Sequence, residues 1–431
     1  MLDMRDAFFN SLYNYIASDD NVIILTADHG AFGLKRIELE YPKQYLNIGI
    51  SEQALIGIAA GLAKSGKKVY VYAINNFVSL RVIEQINIDI CAMNLDVNII
   101  GVGAGFTYST DGPTHHGIQD VSLMLNLPNL SVYNVTDATS TRKITELSYK
   151  ETGPKYIRIE KGYLPCFYND KDDISLGFKE IISEGDIGII STGYMTSVVG
   201  SVCKELKKEN IDIAHLDLTK IKPLPLKKIV SFCSNRRIIV VEENIKSGGI
   251  GEKIAAILQN QANLKTFLSI AIEDIFVFDY GSREFLQTKN QIDKETIKNK
   301  VRKIMLHDKK EYISIDQEKV CEILSVKKGN LTKHTQKIIS EFCLSYRHLS
   351  KVELEKALHT ILSKSQDKKK IKSGEARKLD WERGWQENLE EYSETLEEKN
   401  LKPKYYRPEQ YARMHGTYIK PLNKDFVFKF S

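Results

Sequence analysis

Two stretches hold the side chains that could do chemistry. Asp111-Gly112-Pro113-Thr114-His115-His116 places one carboxyl and two imidazoles within six residues. Its Gly-Pro pair favours a tight turn, which would bring the acid and an imidazole together beside a cleft. Imidazole is the side chain suited to handling protons near neutral pH. The second stretch is YLNIGISEQALIGIAAGLA, residues 45–63, an apolar extended run that turns at Gly49 into a helix-forming segment. Glu52 falls in the first turn of that segment, where the helix dipole favours a carboxylate. Taken alone, it reads equally well as an ordinary helix-start residue or as a functional acid. Phe77 and the R-x-x-E-Q run Arg81–Gln85 lie between the two stretches.

The elements that must position these residues alternate. Residues 4–18 carry Phe8, Leu12 and Ile16 at helical spacing, and NVIILT (21–26) is a buried-strand pattern. KKVYVYAI (67–74) reads as the next strand, 81–92 as a helix, DVNIIGV (96–102) as a strand, and 131–135 and 155–159 as two more. Strands alternating with helices and joined by Gly-rich loops imply an α/β fold with a parallel sheet. Gly101-Val102-Gly103-Ala104-Gly105 follows a strand, but its third glycine is not at the spacing of a dinucleotide fingerprint and no helix pattern opens after it. After a polar, Asp-rich stretch at 169–175 the alternation restarts, with strands at 186–191, 213–217 and 238–242 and a helix at 198–209.

Composition narrows the class. The 431 residues suffice for two or three domains, and 42% hydrophobic with 27% charged is globular usage. With 61 basic and 56 acidic residues the net charge is only +5, which argues for no nucleic-acid partner and no membrane. Six cysteines without a C-x-x-C suggest neither a disulfide framework nor zinc, and a cytoplasmic location is expected.

The order Glu52, Phe77, Arg81–Gln85, Asp111–His116 resembles the pyrimidine-binding domain of the transketolase family, which also contains 1-deoxyxylulose-5-phosphate synthase. The resemblance implies thiamine diphosphate as cofactor, with Glu52 on N1′ of its aminopyrimidine and Phe77 stacked on that ring. A carboxyl that can share a proton there makes the cofactor's own 4′ nitrogen a base. It implies that Asp111 and His115 bind the hydroxyls of the donor sugar, with His115 handling protons. Arg158 and Lys161 would bind the far, anionic end of a substrate, and Arg81, Glu84 and Gln85 would serve subunit contacts. Departures are visible. His116 stands where relatives carry Gln, Gly103 where phosphate-specific members carry His, and Lys161 where many have Arg. A weakened preference for sugar phosphates is therefore expected.

The segments EGDIGIISTGYM, LDLTKIKPLP and VVEENIKSGGIGEKIAAIL resemble the C-terminal domain of transketolases. The expected organisation is a pyrimidine-binding domain at 1–165, a C-terminal-type α/β domain at 172–305 and a mainly helical, charged extension at 306–431. The stretches WERGWQENLEEY and LKPKYYRPEQYARMHGTYIKPLN loosely resemble the lead-in of S-adenosylmethionine-dependent sugar methyltransferases. The GDG…N loop with which the family holds diphosphate and Mg²⁺ does not occur in these 431 residues. The resemblance thus implies half of a split transketolase that transfers a two-carbon ketol unit between sugars. Its partner would be a diphosphate-binding N-terminal subunit that holds the Mg²⁺, in an α2β2 assembly; no metal ligands are expected in this chain. The rivals are a 2-oxo acid dehydrogenase β-subunit, which lacks the Asp111–His116 motif, and a non-catalytic docking subunit.

Overall fold

The structure, a computed structural model, describes residues 2–259 and 265–307. The chain divides between Met305 and Leu306. Beyond His307, the expected helical extension lies outside the described residues, as does its methyltransferase-like stretch.

The first half runs α1 (Met4–Ile16), β1 (Val22–Thr26), α2 (Phe32–Glu40), β2 (Tyr45–Asn47), α3 (Glu52–Lys64), β3 (Lys68–Ile74), α4 (Ile83–Gln85), β4 (Val97–Val102), α5 (Asp120–Met124), β5 (Ser131–Asn134), α6 (Ala138–Lys150) and β6 (Lys155–Ile159). The second half runs β7 (Phe178–Ile182), β8 (Ile187–Ser191), α7 (Tyr194–Lys207), β9 (Ile213–Leu218), β10 (Lys220–Lys222), α8 (Leu226–Cys233), β11 (Arg237–Ile245), α9 (Ile250–Leu258), β12 (Thr266–Ile272), α10 (Arg283–Lys289) and α11 (Lys294–His307). The expected α/β architecture is what forms.

Two sheets result, in the orders β10-β5-β6-β4-β3-β1-β2 and β12-β11-β8-β9-β7. All pairings are parallel except at β10 and β7. Helices cover both faces of a parallel sheet, so β4, β6, β8 and β9 are buried along their whole length. The three residues of β10 belong to the second half in sequence, yet they pair antiparallel with β5 and extend the first sheet. So short a strand carries no readable periodicity.

The run 81–92, expected as one helix, is broken into a 3₁₀ turn (Leu80–Val82), the short α4 and a π turn (Ile86–Cys91). Val82, Ile83, Ile86, Ile88 and Ile90 are all β-branched and crowd a regular helix. The wider π turn lets Ile86, Ile90 and Cys91 all point inward. Among the described residues no helix is long and apolar enough to cross a membrane.

The halves are joined by a buried charge cluster. Arg283, the first residue of α10, bonds Glu160 just past β6 at 2.9 and 3.0 Å. It also pairs with Glu243 in β11, and the Tyr194 ring lies 3.3 Å from its guanidinium carbon. Burial alone would lower the Arg283 pKa, but the two carboxylates overcome this and raise it.

Glu242, the neighbour of that cluster, is buried at the start of α9. It accepts the backbone N–H groups of Ile250 and Gly251 at 3.0 and 2.9 Å. A side chain at Gly249 would collide with its carboxylate. Burial outweighs those donors and pushes its pKa from 4.5 up to about 7. The folded state therefore keeps a proton that the unfolded chain gives up near its ordinary value. The resulting stability is complete below about pH 4.5 and is lost as pH rises through about 7. Asp217, pushed up to about 6 by burial, acts with the same sign. Glu242→Gln should shrink the fall in urea midpoint between about pH 5 and about pH 7.5. A variant that falls as steeply as the wild type would show that Glu242 does not titrate in that window.

Candidate functional site

Ligands of open α/β sheets collect outside the carboxyl ends of the strands, and the candidate residues converge there. Glu52 opens α3 just past β2, Phe77 follows β3, the 103–117 loop follows β4, and Arg158 and Lys161 sit at the end of β6. The turn before α3 needs Gly49, at φ +72°, and the Asn47 side chain accepts its N–H at 3.0 Å.

Glu52 is only 4% exposed. Its partner is Arg81, whose Nη1 lies 2.7 Å from Glu52 Oε2. The sequence suggests subunit contacts for Arg81; within this chain it reaches back across the site. Its guanidinium carbon lies 4.1 Å from the centroid of the Phe77 ring. The Phe77 ring in turn meets the His115 ring at 5.2 Å, edge to face. Glu52, Phe77 and His115 thus form a contiguous set through Arg81, although they lie on three separate segments of the chain.

The loop holding His115 is gripped from β3. Asn76 Nδ2 donates to the carbonyls of Thr114 and His116, both at 3.0 Å, and Asn75 Nδ2 donates to Asp120 at 3.0 Å. A bridge between Gly105 and Gly117 closes the loop at its base. Two backbone N–H groups, those of His115 and His116, converge on the Gly112 carbonyl and make the tight turn. The His115 Nδ1 lies 2.9 Å from the Thr114 hydroxyl. Asp111 is exposed at the head of the same turn. His116 instead turns into the interior against Phe106, and burial lowers its pKa. Sequence reasoning passes over Asn75 and Asn76; their signal is two polar residues in a row at the mouth of an apolar strand.

Arg158 does not take the place expected of an anion anchor. It is 3% exposed. Its Nε donates to Asp120 at 2.9 Å, and its Nη2 donates to the carbonyls of Gly117 and Glu243. Burial would lower its pKa, but the Asp120 carboxylate reverses that and raises it. Arg158 therefore props the loop from beneath, consumed by Asp120 and two carbonyls.

Lys161 is exposed, with Nζ 5.5 Å from the Tyr108 ring centroid. Tyr108 also accounts for the missing side chain at 103. Gly103 has φ +96°, and a Cβ there would lie 2.2 Å from Tyr108 Cε2. The Tyr108 hydroxyl and His29 Nε2 are buried atoms without a hydrogen-bond partner among the described residues. Burial, with the charges of Arg5 and Lys161, holds the His29 pKa down to about 4. Lys161 thus stands beside Tyr108, with its charge felt at His29, while the Arg5 guanidinium is paired with Asp3; these residues come from separate segments, so sequence spacing could not show the grouping.

The donor set fits a flat nitrogen heterocycle. It offers one buried carboxyl for hydrogen bonding and one aromatic face, on which a planar N–C–N group already stacks. Among the described residues no group of three or more His, Cys, Asp or Glu could hold a metal ion.

Arg158→Ala would leave Asp120 charged and buried without its partner, which typically costs about 3–5 kcal/mol. A clearly lowered urea midpoint is expected, whereas Lys161→Ala should leave it unchanged. Equal midpoints in the two variants would contradict the propping role.

Comparison with known proteins establishes the family. Residues 1–165 match the transketolase pyrimidine-binding domain, and residues 179–297 match the transketolase C-terminal domain. The chain is 30% identical over 301 residues to an apulose-4-phosphate transketolase subunit of Phocaeicola vulgatus, covering 69% of this chain and 96% of that protein. It is 28% identical to a 6-deoxy-6-sulfo-D-fructose transketolase subunit of a Clostridium species, covering 67% and 92%. Among solved structures, a split-gene transketolase described as an inactive beta4 tetramer superimposes with a TM-score of 0.63 at 26% identity, covering 70% of this chain and 97% of that one. The chain belongs to the transketolase family and is a transketolase-type transferase subunit.

Proposed function

We propose that this chain supplies the pyrimidine half of a thiamine diphosphate site and binds the sugar there, while a separate subunit holds the diphosphate and Mg²⁺. The observation that carries this reading is the contiguous set of Glu52, Phe77 and His115 at the strand ends. The split is supported by relatives that are themselves named as subunits and are matched over 96% and 92% of their own lengths. An assembly of two copies of each subunit is the simplest that completes two sites.

When bound, the cofactor supplies a nucleophilic carbon and an electron sink for carbon–carbon bond cleavage. Glu52 shares a proton with the aminopyrimidine from a site shielded from water, where a carboxyl is held most effectively. Phe77 gives the ring a flat platform. His115, with Nδ1 engaged by the Thr114 hydroxyl, has Nε2 left to take a proton from a sugar hydroxyl and return it. Asp111 accepts a hydroxyl of the donor and orients it.

The far end of the substrate is anionic on this reading. The names of two relatives specify a phosphate on one sugar and a sulfonate on the other. In this chain Lys161, beside the Tyr108 ring, replaces Arg158 as the available cation. Lysine is a point charge and does not form the two-pronged contact of arginine, so phosphate has no built-in advantage over other anions.

Two measurements test the reading. Glu52→Gln keeps a hydrogen bond but cannot share a proton, so exchange of the cofactor C2 proton should slow by about 10²–10⁴-fold with assembly intact. Exchange at the wild-type rate would remove Glu52 from the chemistry. Calorimetric titration of the isolated full chain with thiamine diphosphate and Mg²⁺ should show weak binding that becomes tight once the partner subunit is added. Tight magnesium-dependent binding by the chain alone would defeat the half-site reading.

A further inference from the structure

The position of Arg81 has a consequence for how the site is filled. Its guanidinium makes both contacts that define the site: an ion pair to Glu52 at 2.7 Å and a stack 4.1 Å from the Phe77 centroid. A guanidinium is a planar, delocalised N–C–N unit that pairs with carboxylates and stacks on aromatic faces. An aminopyrimidine presents the same flat N–C–N edge. The Phe77 face that the guanidinium covers cannot at the same time carry a stacked aminopyrimidine. The two ends of the contact also differ in freedom. The Arg81 side chain is 44% exposed, whereas that of Glu52 is 4% exposed. Arg81 also lies in the short 3₁₀ turn Leu80–Val82, ahead of an irregular π turn. It has a route to water and Glu52 does not.

We propose that Arg81 is a displaceable placeholder, a positioning residue that holds Glu52 and Phe77 at the spacing the aminopyrimidine needs and leaves when the cofactor enters. The inference rests on the cofactor reading above. Placeholding has two effects. It keeps a buried carboxylate paired while the site awaits its ligand, which avoids the cost of an isolated buried charge. It also lowers apparent affinity, because only molecules with Arg81 swung away are competent to bind.

The test is titration of thiamine diphosphate, at fixed Mg²⁺, into the full chain assembled with its diphosphate-binding subunit. Arg81→Ala should lower the dissociation constant about three- to tenfold and speed association, since no group must leave first. Arg81→Lys keeps the charge pair without the planar stack and should fall between. A folding defect raises the dissociation constant, so it cannot imitate this result, and Arg81→Gln serves if the alanine variant is unstable. An unchanged or higher dissociation constant in the alanine variant would overturn the proposal, showing that Arg81 is indifferent or holds the bound cofactor. Absence of saturable binding in the wild type would instead overturn the cofactor reading, and the inference with it.

Discussion

The Arg283 cluster is the contact on which the geometry of the site depends. One guanidinium from α10 engages Glu160 at the end of β6 and Glu243 in β11, which belong to different sheets. Glu243 also accepts the Phe106 N–H at 3.0 Å and the Gln287 side chain at 2.6 Å. The backbone at Ala104–Phe106 is thereby tied to the second half of the chain, and a Cβ at Gly105 would strike the Glu243 carboxylate. Buried ion clusters contribute little net stability against an apolar alternative, but they tolerate few arrangements. Here the tolerated arrangement fixes the base of the loop that carries Asp111 and His115.

A second buried network works below that loop. Asp120 receives Arg158, the Tyr156 hydroxyl and Asn75 on the same carboxylate oxygen, at 2.9, 2.9 and 3.0 Å. These donors come from β6 and from the residue just past β3, so the network sets the relative heights of those strands where the site opens. The division of labour between the two basic residues near β6 follows. Arg158 offers five donors in a rigid fork and suits the dry interior, where each can be matched. Lys161, compact and strongly hydrated, stays at the surface.

Much of this was legible in the sequence, for identifiable reasons. Buried parallel strands are continuous apolar runs, so NVIILT, KKVYVYAI and DVNIIGV announce themselves. The Asp111–His116 turn is local, because Gly-Pro sets its backbone wherever the rest of the chain goes. Glu52 alone reads as an ordinary helix-start residue; it was the resemblance of its order with Phe77, Arg81–Gln85 and Asp111–His116 to the transketolase family that singled it out. The broken helix at 80–91 was less legible, since its β-branched run competes with a helical pattern and only packing decides between them.

Which polar groups face each other was settled by the tertiary structure alone. Position 158 reads as a cation at a strand end, but whether it meets a substrate or Asp120 depends on where the first residue of α5 comes to lie. Gly103 reads as a lost side chain, yet Tyr108, further along the same loop, folds back into that space. Arg81 reads as a surface helix residue, and the 3₁₀ and π turns around it bring its guanidinium to Glu52. The sequence by itself determined the strands, the turn and the set of groups able to do chemistry, because these depend on local backbone preference and burial. The partner of each charge depends on side chains brought together from distant segments, and a linear pattern does not encode those distances.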